Sequence, residues 1–348
     1  MMKRLFYILL VVLFLSCGQS VEERKRLSLA EKREQRRQDS LAFKVAVMPT
    51  LDCLPFFLAK EKGWFDSLDV DVRLRVFNAQ MDCDTAFAGK SVEAMVSDVV
   101  RTERMKEKGV ALSHLTFTNA CWQLFTSRKS RLKKVSQLGD KMIAMTRFSA
   151  TDLLCDKVLE GVKTSSIVFR IQVNDVNVRC SMLQNSEIDA AWLTEPYATA
   201  ARGFGAQQMA DSRKINSRLG VVAVRDDATM DKRRRQQLEA MTKAYDKACD
   251  SLNVYGVKHY AEVIRKYCRV DTKTINTIPK QQYIKVGSKI TFCKAIVVGA
   301  DAFLLPYRGG RERLGEGGRG LDAPSQERNY RLQKKIIFEH GMQNKFAQ

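Results

Sequence analysis

Histidine is almost missing from this 348-residue chain, which has 3 against 59 Lys and Arg and 39 Asp and Glu. With so few imidazoles, and no C-x-x-C pair among the 9 cysteines, there is no spacing for a zinc site. A His-based nucleophilic dyad is excluded on the same ground, and neither a nucleophile elbow nor a phosphate loop occurs. Asp82 and Asp84, the closest-set carboxylates in a turn, have no evident catalytic partner in the sequence. No enzyme activity, cofactor or metal is therefore expected. Acidic residues are also short relative to basic ones, leaving a net charge of +20. Such a balance admits nucleic acid or an anionic membrane as partner, but no helix-turn-helix, RNP-like or zinc motif accompanies it. Much of the excess is local, in Arg24 to Arg37, Lys232 to Arg235 and beyond Tyr307. The run at Lys232 reads as a solvated helix face, so no nucleic-acid partner is expected.

The apolar run Leu5 to Leu15 is about eleven residues, short of the roughly 20 that span a bilayer. It comes after the basic pair Lys3-Arg4 and ends in Ser16-Cys17-Gly18, a small residue before a cysteine and another after it. Residues 1–16 therefore read as a bacterial lipoprotein signal peptide that leaves Cys17 as the lipidated first residue. The alternative is an uncleaved anchor with an incidental cysteine. Either way the body is expected outside the cytoplasm, held to a membrane on its periplasmic side. Residues 17–42 are charged, nearly without aromatics, and read as a tether. The other cysteines sit among apolar neighbours, as in Leu153-Leu154-Cys155, and read as small core residues rather than disulfide partners.

The stretch from Phe43 to Phe65 organises the rest of the chain. Phe43, Val45 and Val47 alternate as a strand, Pro49 to Asp52 breaks it, and Leu54, Phe57, Leu58 and Trp64 recur at helical spacing. A helix that starts directly after a buried strand points unpaired N–H groups above the sheet edge, so the turn from Thr50 to Cys53 is a candidate ligand-holding turn. A strand is expected over 69–77, a turn over 78–84, and a third strand over 91–98 that carries Ser97 and Asp98 at its carboxyl end. Strands at 112–117 and 122–127 come next. Lys129 to Lys134 marks a boundary, after which the opening unit recurs: strand 141–145, turn 146–151 with Arg147, Ser149 and Thr151, then a helix. Ser149 and Thr151 are good N-cap residues whether or not they touch a ligand. A strand over 188–193 ends in Trp192, Thr194 and Glu195, and a strand over 219–225 returns the chain to the first lobe.

The order of Ala59, Glu61, Gly63 and Phe65, the run Gly89 to Ala94, Leu138 to Ala144, and Glu187 to Pro196 resembles the type 2 periplasmic solute-binding proteins of ABC importers. The branch it is most similar to serves nitrate, sulfonates, taurine and thiamine pyrimidine precursors. The resemblance covers about 44–252 and implies an α/β protein with two doubly wound lobes joined by two crossover strands. Lobe I is then 43–127 plus 221–300 and lobe II 128–220, with hinges near Phe125 to Arg128 and Leu219 to Ala223. Ligand-binding candidates are Thr50, Asp52, Ser97, Asp98, Trp122, Arg147, Ser149, Thr151, Trp192 and Glu195. Carboxylates favour a pyrimidine-like solute, whereas Arg147 beside a helix N-terminus favours a sulfonate, phosphate or nitrate-type anion. The implied partners are that solute and an ABC permease, for a monomeric protein on a lipid anchor. The alternative is an enzyme of the same fold making a pyrimidine or menaquinone precursor, although nothing here matches the cysteine-rich cluster of the pyrimidine-making relatives. The pattern fades after about Ile278, and the Gly/Arg-rich tail over 301–348 reads as a frame change or a divergent end.

Overall fold

A computed structural model of the chain describes residues 21–215 and 218–287. The expected signal peptide, the lipidation candidate Cys17 and the tail lie outside the described residues. The tether forms one helix, α1 (Val21–Leu41), whose exposed Glu34 and Arg37 pair at 2.8 Å one turn apart. No helix among the described residues is long and apolar enough to cross a membrane.

From Phe43 onward the chain builds two five-stranded sheets of matching strand order. The first takes β1 (Phe43–Val47), β2 (Val72–Val76), β3 (Ala94–Asp98), β4 (Leu112–Phe117) and, from much later in the chain, β10 (Gly220–Arg225). Its order is β2-β1-β3-β10-β4, with β1 parallel to β2 and β3, and β10 antiparallel between β3 and β4. The second sheet takes β5 (Gln123–Thr126), β6 (Met142–Met145), β7 (Phe169–Gln172), β8 (Ala190–Leu193) and β9 (Gln207–Asp211). There the order is β7-β6-β8-β5-β9, with β5 as the antiparallel insert. In both sheets the antiparallel strand is the one that arrives from the other lobe. This is the α/β fold of two doubly wound lobes joined by two crossings.

The helices between and after these strands are α2 (Leu54–Glu61), α3 (Gln80–Ala88), α4 (Val99–Glu107), α5 (Ala150–Leu159), α6 (Val176–Gln184) and α7 (Tyr197–Gly203). After β10 come α8 (Asp226–Met230), the long α9 (Lys232–Tyr255), α10 (Ala261–Cys268) and α11 (Thr272–Thr277). Strands β1, β3, β5 and β8 are buried along their whole length and helix-covered, which is why they read as apolar runs. Phe56 and Phe57 of α2 carry the first lobe's core, with Phe57 stacked on Tyr267 at 4.0 Å and Phe56 tilted against Tyr245 at 4.8 Å.

Three features depart from the sequence reading. Gln123–Thr126 pairs with β8 and β9, so the chain enters the second lobe between Phe117 and Gln123, ahead of the expected hinge at Phe125. Strand β9, Gln-Gln-Met-Ala-Asp, carries no strand signal in the sequence: it is an edge strand whose residues neither alternate nor branch at Cβ. Residues 78–84 are mostly helix α3 rather than turn, because Gln80 to Asp84 joins the apolar face formed by the buried Cys83 and Phe87.

The two crossings lie side by side. At one end the Thr118 N–H donates to Gly220 O at 2.8 Å, and at the other the Ser212 N–H donates to Trp122 O at 2.9 Å while Trp122 N–H donates to Ser212 Oγ at 3.0 Å. A Cβ on Gly220 would come within 2.6 Å of Ala120 Cβ, so only glycine lets the strands approach this closely.

Candidate functional site

A cavity of about 70 Å³ lies where the carboxyl ends of the parallel strands from both sheets face each other. That is the expected place for a ligand in a doubly wound sheet, since each strand there hands over to a helix and leaves backbone groups unpaired. From the first lobe it is lined by Thr50 and Asp52 after β1, Gln80 of α3, and Ser97 and Asp98 at the end of β3. From the second lobe come Thr146, Ser149 and Thr151 after β6, Asn174 after β7, Arg179 of α6, and Trp192 and Thr194 at the end of β8. Trp122 belongs to the crossing between them. Eight of the ten candidates from the sequence thus meet in one space.

Each lobe fixes its polar groups by local folding. In the first lobe Asp98 caps α4, its Oδ1 accepting the Arg101 N–H at 3.0 Å. Burial pushes its carboxyl up to about 6, against the pull of Arg101 and of the Arg101 and Ala150 amides. Asp52 is likewise raised by burial, with the Thr50 hydroxyl partly opposing it. Asp84, which showed no partner in the sequence, receives the Arg101 guanidinium, with Nε at 2.6 Å. Ser97 Oγ accepts from Gln80 Nε2 at 3.3 Å.

In the second lobe the hydroxyls of Ser149 and Thr151 lie 2.8 Å apart, and Ser149 Oγ donates to Thr146 O at 2.7 Å. Ser149 also caps α5, accepting the Thr151 N–H at 3.1 Å. These hydroxyls line the cavity, yet their hydrogens serve the turn. Trp192 is fully buried and spends its indole N–H on Cys155 Sγ at 3.1 Å, which leaves the ring as an apolar wall. Arg179 is 6% exposed and donates one Nη1 bond to Trp192 O at 2.7 Å. Its Nε is buried without a partner. Burial lowers its guanidinium to about 10, and Asp175 opposes the shift.

Two candidates stand apart from the lining. The Glu195 carboxylate is spent inside its own lobe, on Arg202 Nη2 at 2.6 Å, Thr199 Oγ1 at 2.6 Å, the Thr199 N–H at 3.0 Å and Gln123 Nε2 at 3.3 Å. Arg147 is exposed, one residue before the turn's Phe148, and does not reach the cavity. Tyr197, two residues on from Glu195, is buried and donates its hydroxyl to Cys268 O at 3.2 Å.

The NMT1-like family model matches residues 37–265, which takes in both sheets and the whole cavity. The chain belongs to the NMT1-like family. No curated protein matches the sequence. Among solved structures, the ligand-binding component of an ABC-type import system from Staphylococcus aureus is 13% identical, with TM-score 0.57 over 70% of this chain and 85% of that one. The periplasmic aliphatic sulphonate-binding protein of Escherichia coli is 14% identical, with TM-score 0.57 and the same coverages, 70% and 85%. The periplasmic nitrate-binding protein of Synechocystis PCC 6803 is 12% identical, with TM-score 0.57 over 74% of each chain. At these identities the likeness establishes the fold.

Within this NMT1-like chain the polar lining residues outside the ten candidates are Gln80, Thr146, Asn174, Arg179 and Thr194. Arg179 had a legible signal. Val176, Arg179, Cys180 and Leu183 form the buried stripe of α6 at helical spacing, and an arginine inside such a stripe is out of place unless it has buried work.

Proposed function

We propose that the protein captures a small solute between its lobes without chemical change and delivers it to an ABC-type permease. The observation that carries this reading is Arg179, a cation 94% withdrawn from water whose Nε lacks an acceptor and which lines the interlobe cavity. Holding such a group without a partner costs stability, so the fold retains it against its own interest unless a ligand supplies the missing acceptor. The solved structures of similar fold whose names refer to sulphonate, nitrate and an ABC-type import system support the assignment.

The geometry favours an oxyanion over a thiamine-type pyrimidine. Arg179 is a buried cation with an unanswered donor in the cavity lining, and such a group calls for an acidic oxygen. Asp52 and Asp98 on the facing lobe would repel a bare anion, so the best fit joins a sulfonate-type group for Arg179 to amine hydrogens for the carboxylates. Lobe closure then turns on the paired crossings, between Phe117 and Gln123 and between Asp211 and Gly220. A lipid anchor on Cys17, a monomeric state and an extracytoplasmic location complete the reading. Thermal shift assays with taurine, an alkanesulfonate, nitrate and an aminopyrimidine test it. An aminosulfonate at 100 times its dissociation constant adds roughly 2.7 kcal/mol. A shift with the aminopyrimidine alone, or with none of the four, refutes it.

A further inference from the structure

The two lobes touch across the cleft at points other than the paired crossings. The Leu51 N–H of the first lobe donates to Glu195 O of the second at 3.0 Å, and Ala79 bridges Asp175. Met81 Sδ, near the start of α3, accepts Asn174 Nδ2 at 3.0 Å and Gln172 Nε2 at 3.4 Å. The Arg104 guanidinium of α4 lies 3.6 Å from the centre of the Phe148 ring, in the turn before α5. Among the described residues that guanidinium makes no hydrogen bond or ion pair, so the ring face is what it rests on. Phe148 is 49% exposed and holds a φ of 56°. A turn that needs only a positive φ is served by glycine or asparagine, and a bulky side chain there is strained. The turn is nonetheless pinned in this form: the Phe148 N–H donates to Asp152 Oδ2 at 2.9 Å, and Ser149 beside it lines the cavity.

We propose that Arg104 and Phe148 form a clasp across the cleft, which holds the lobes together through the protein's own groups and whose parting sets how often the cleft opens. A guanidinium over an aromatic face is attracted by the ring's quadrupole, and more strongly as the pair leaves water. The two residues come from different lobes, so neither lobe gains this attraction by folding on its own. Opening breaks it, which makes it a closing force and explains why an exposed, strained position carries a phenylalanine. The contact takes nothing from a solute. It therefore acts whichever solute the cavity holds, and the inference does not depend on the solute-binding reading.

The Leu51 amide is a built-in reporter of closure, because its acceptor, Glu195 O, belongs to the other lobe. Amides of β1 are bonded within the first sheet and report the fold itself. Site-resolved hydrogen exchange on the full chain without added solute compares wild type with Arg104→Met, Phe148→Gly, the double variant and Phe148→Trp. Glycine suits the positive φ, so F148G removes the ring without new backbone strain, and tryptophan keeps an aromatic face for the cation. The expected result is Leu51 exchange faster by about two- to thirtyfold in R104M and in F148G, the range a cation–π contact commands. The double variant should be no faster than the quicker single one, F148W should match wild type, and β1 amides should be unchanged in all. Leu51 exchange at the wild-type rate in both single variants overturns the clasp. So does a double variant whose acceleration is the product of the two single ones, since the residues then act separately. Acceleration of the β1 amides in step with Leu51 assigns the contact to global stability and overturns it as well. No solute enters the measurement, so its failure and a failure of the solute panel are distinguishable.

Discussion

Arg179→Met separates an arginine kept for a ligand from one kept for the fold. The guanidinium is 6% exposed, and its displacement from the usual arginine range down to about 10 means that folding with the charge in place costs about 3 kcal/mol at neutral pH. Methionine of similar length removes that cost. Against this stands the Nη1 bond to Trp192 O at 2.7 Å, whose loss strands a buried carbonyl at about 1–3 kcal/mol. The balance lies between zero and about 2 kcal/mol in favour of the variant. At about 2–4 °C per kcal/mol for a chain of this size, the solute-free midpoint should stay level or rise by several degrees. Differential scanning fluorimetry with and without the aminosulfonate checks both quantities. The expected signature is an unchanged or higher midpoint without solute, and no shift with it. A solute-free midpoint lowered by about 6 °C or more, with the solute shift intact, would show that Arg179 serves packing.

The remaining tests address the frame of the site. With the Asp98 carboxyl raised to about 6, its contribution to stability is full below the unfolded value of 3.8 and lost as pH rises through 6. Wild type should therefore lose roughly 2 kcal/mol relative to Asp98→Asn between pH 4 and pH 7.5 in denaturant melts, and parallel profiles would refute the burial argument. Gly220→Ala drives a Cβ into Thr118 Oγ1 and to within 2.6 Å of Ala120 Cβ at the paired crossings and should cost about 1–3 kcal/mol, with Thr118→Ala and Ala120→Gly in the same chain restoring part of it. Cys155→Ala removes the acceptor of the buried Trp192 indole and should cost about 1–3 kcal/mol, while Cys155→Ser retains the acceptor and should lose less. The seven described cysteines are free and buried, so thiol reagents should label them only on unfolding. Rapid native labelling mapped to any of the seven by mass spectrometry would contradict the packing.

Legibility in the sequence tracks the range of the interactions. The strand-turn-helix units at Phe43 and Met142 show because their strands are largely buried on both faces and their turns are short, so pattern and punctuation coincide. Thr50, Asp52, Ser97 and Asp98 are found from strand ends alone, since a parallel sheet puts those ends on one edge. Glu195 stands at a strand end too, and the same rule places it in the cavity. What removes it is periodicity: Thr199 and Arg202 lie at i+4 and i+7, one helix face with two donors aimed back at the carboxylate. Arg179 is the converse case, with a helix position that strand-end logic never visits and a charge set in an apolar stripe. Site residues on strands are thus found by position and those on helices by misfit. A carboxylate already answered by its own helix and an arginine whose Nε is unanswered by anything around it are the two patterns that separate a charge spent inside the protein from the one assigned to the solute in the proposed function.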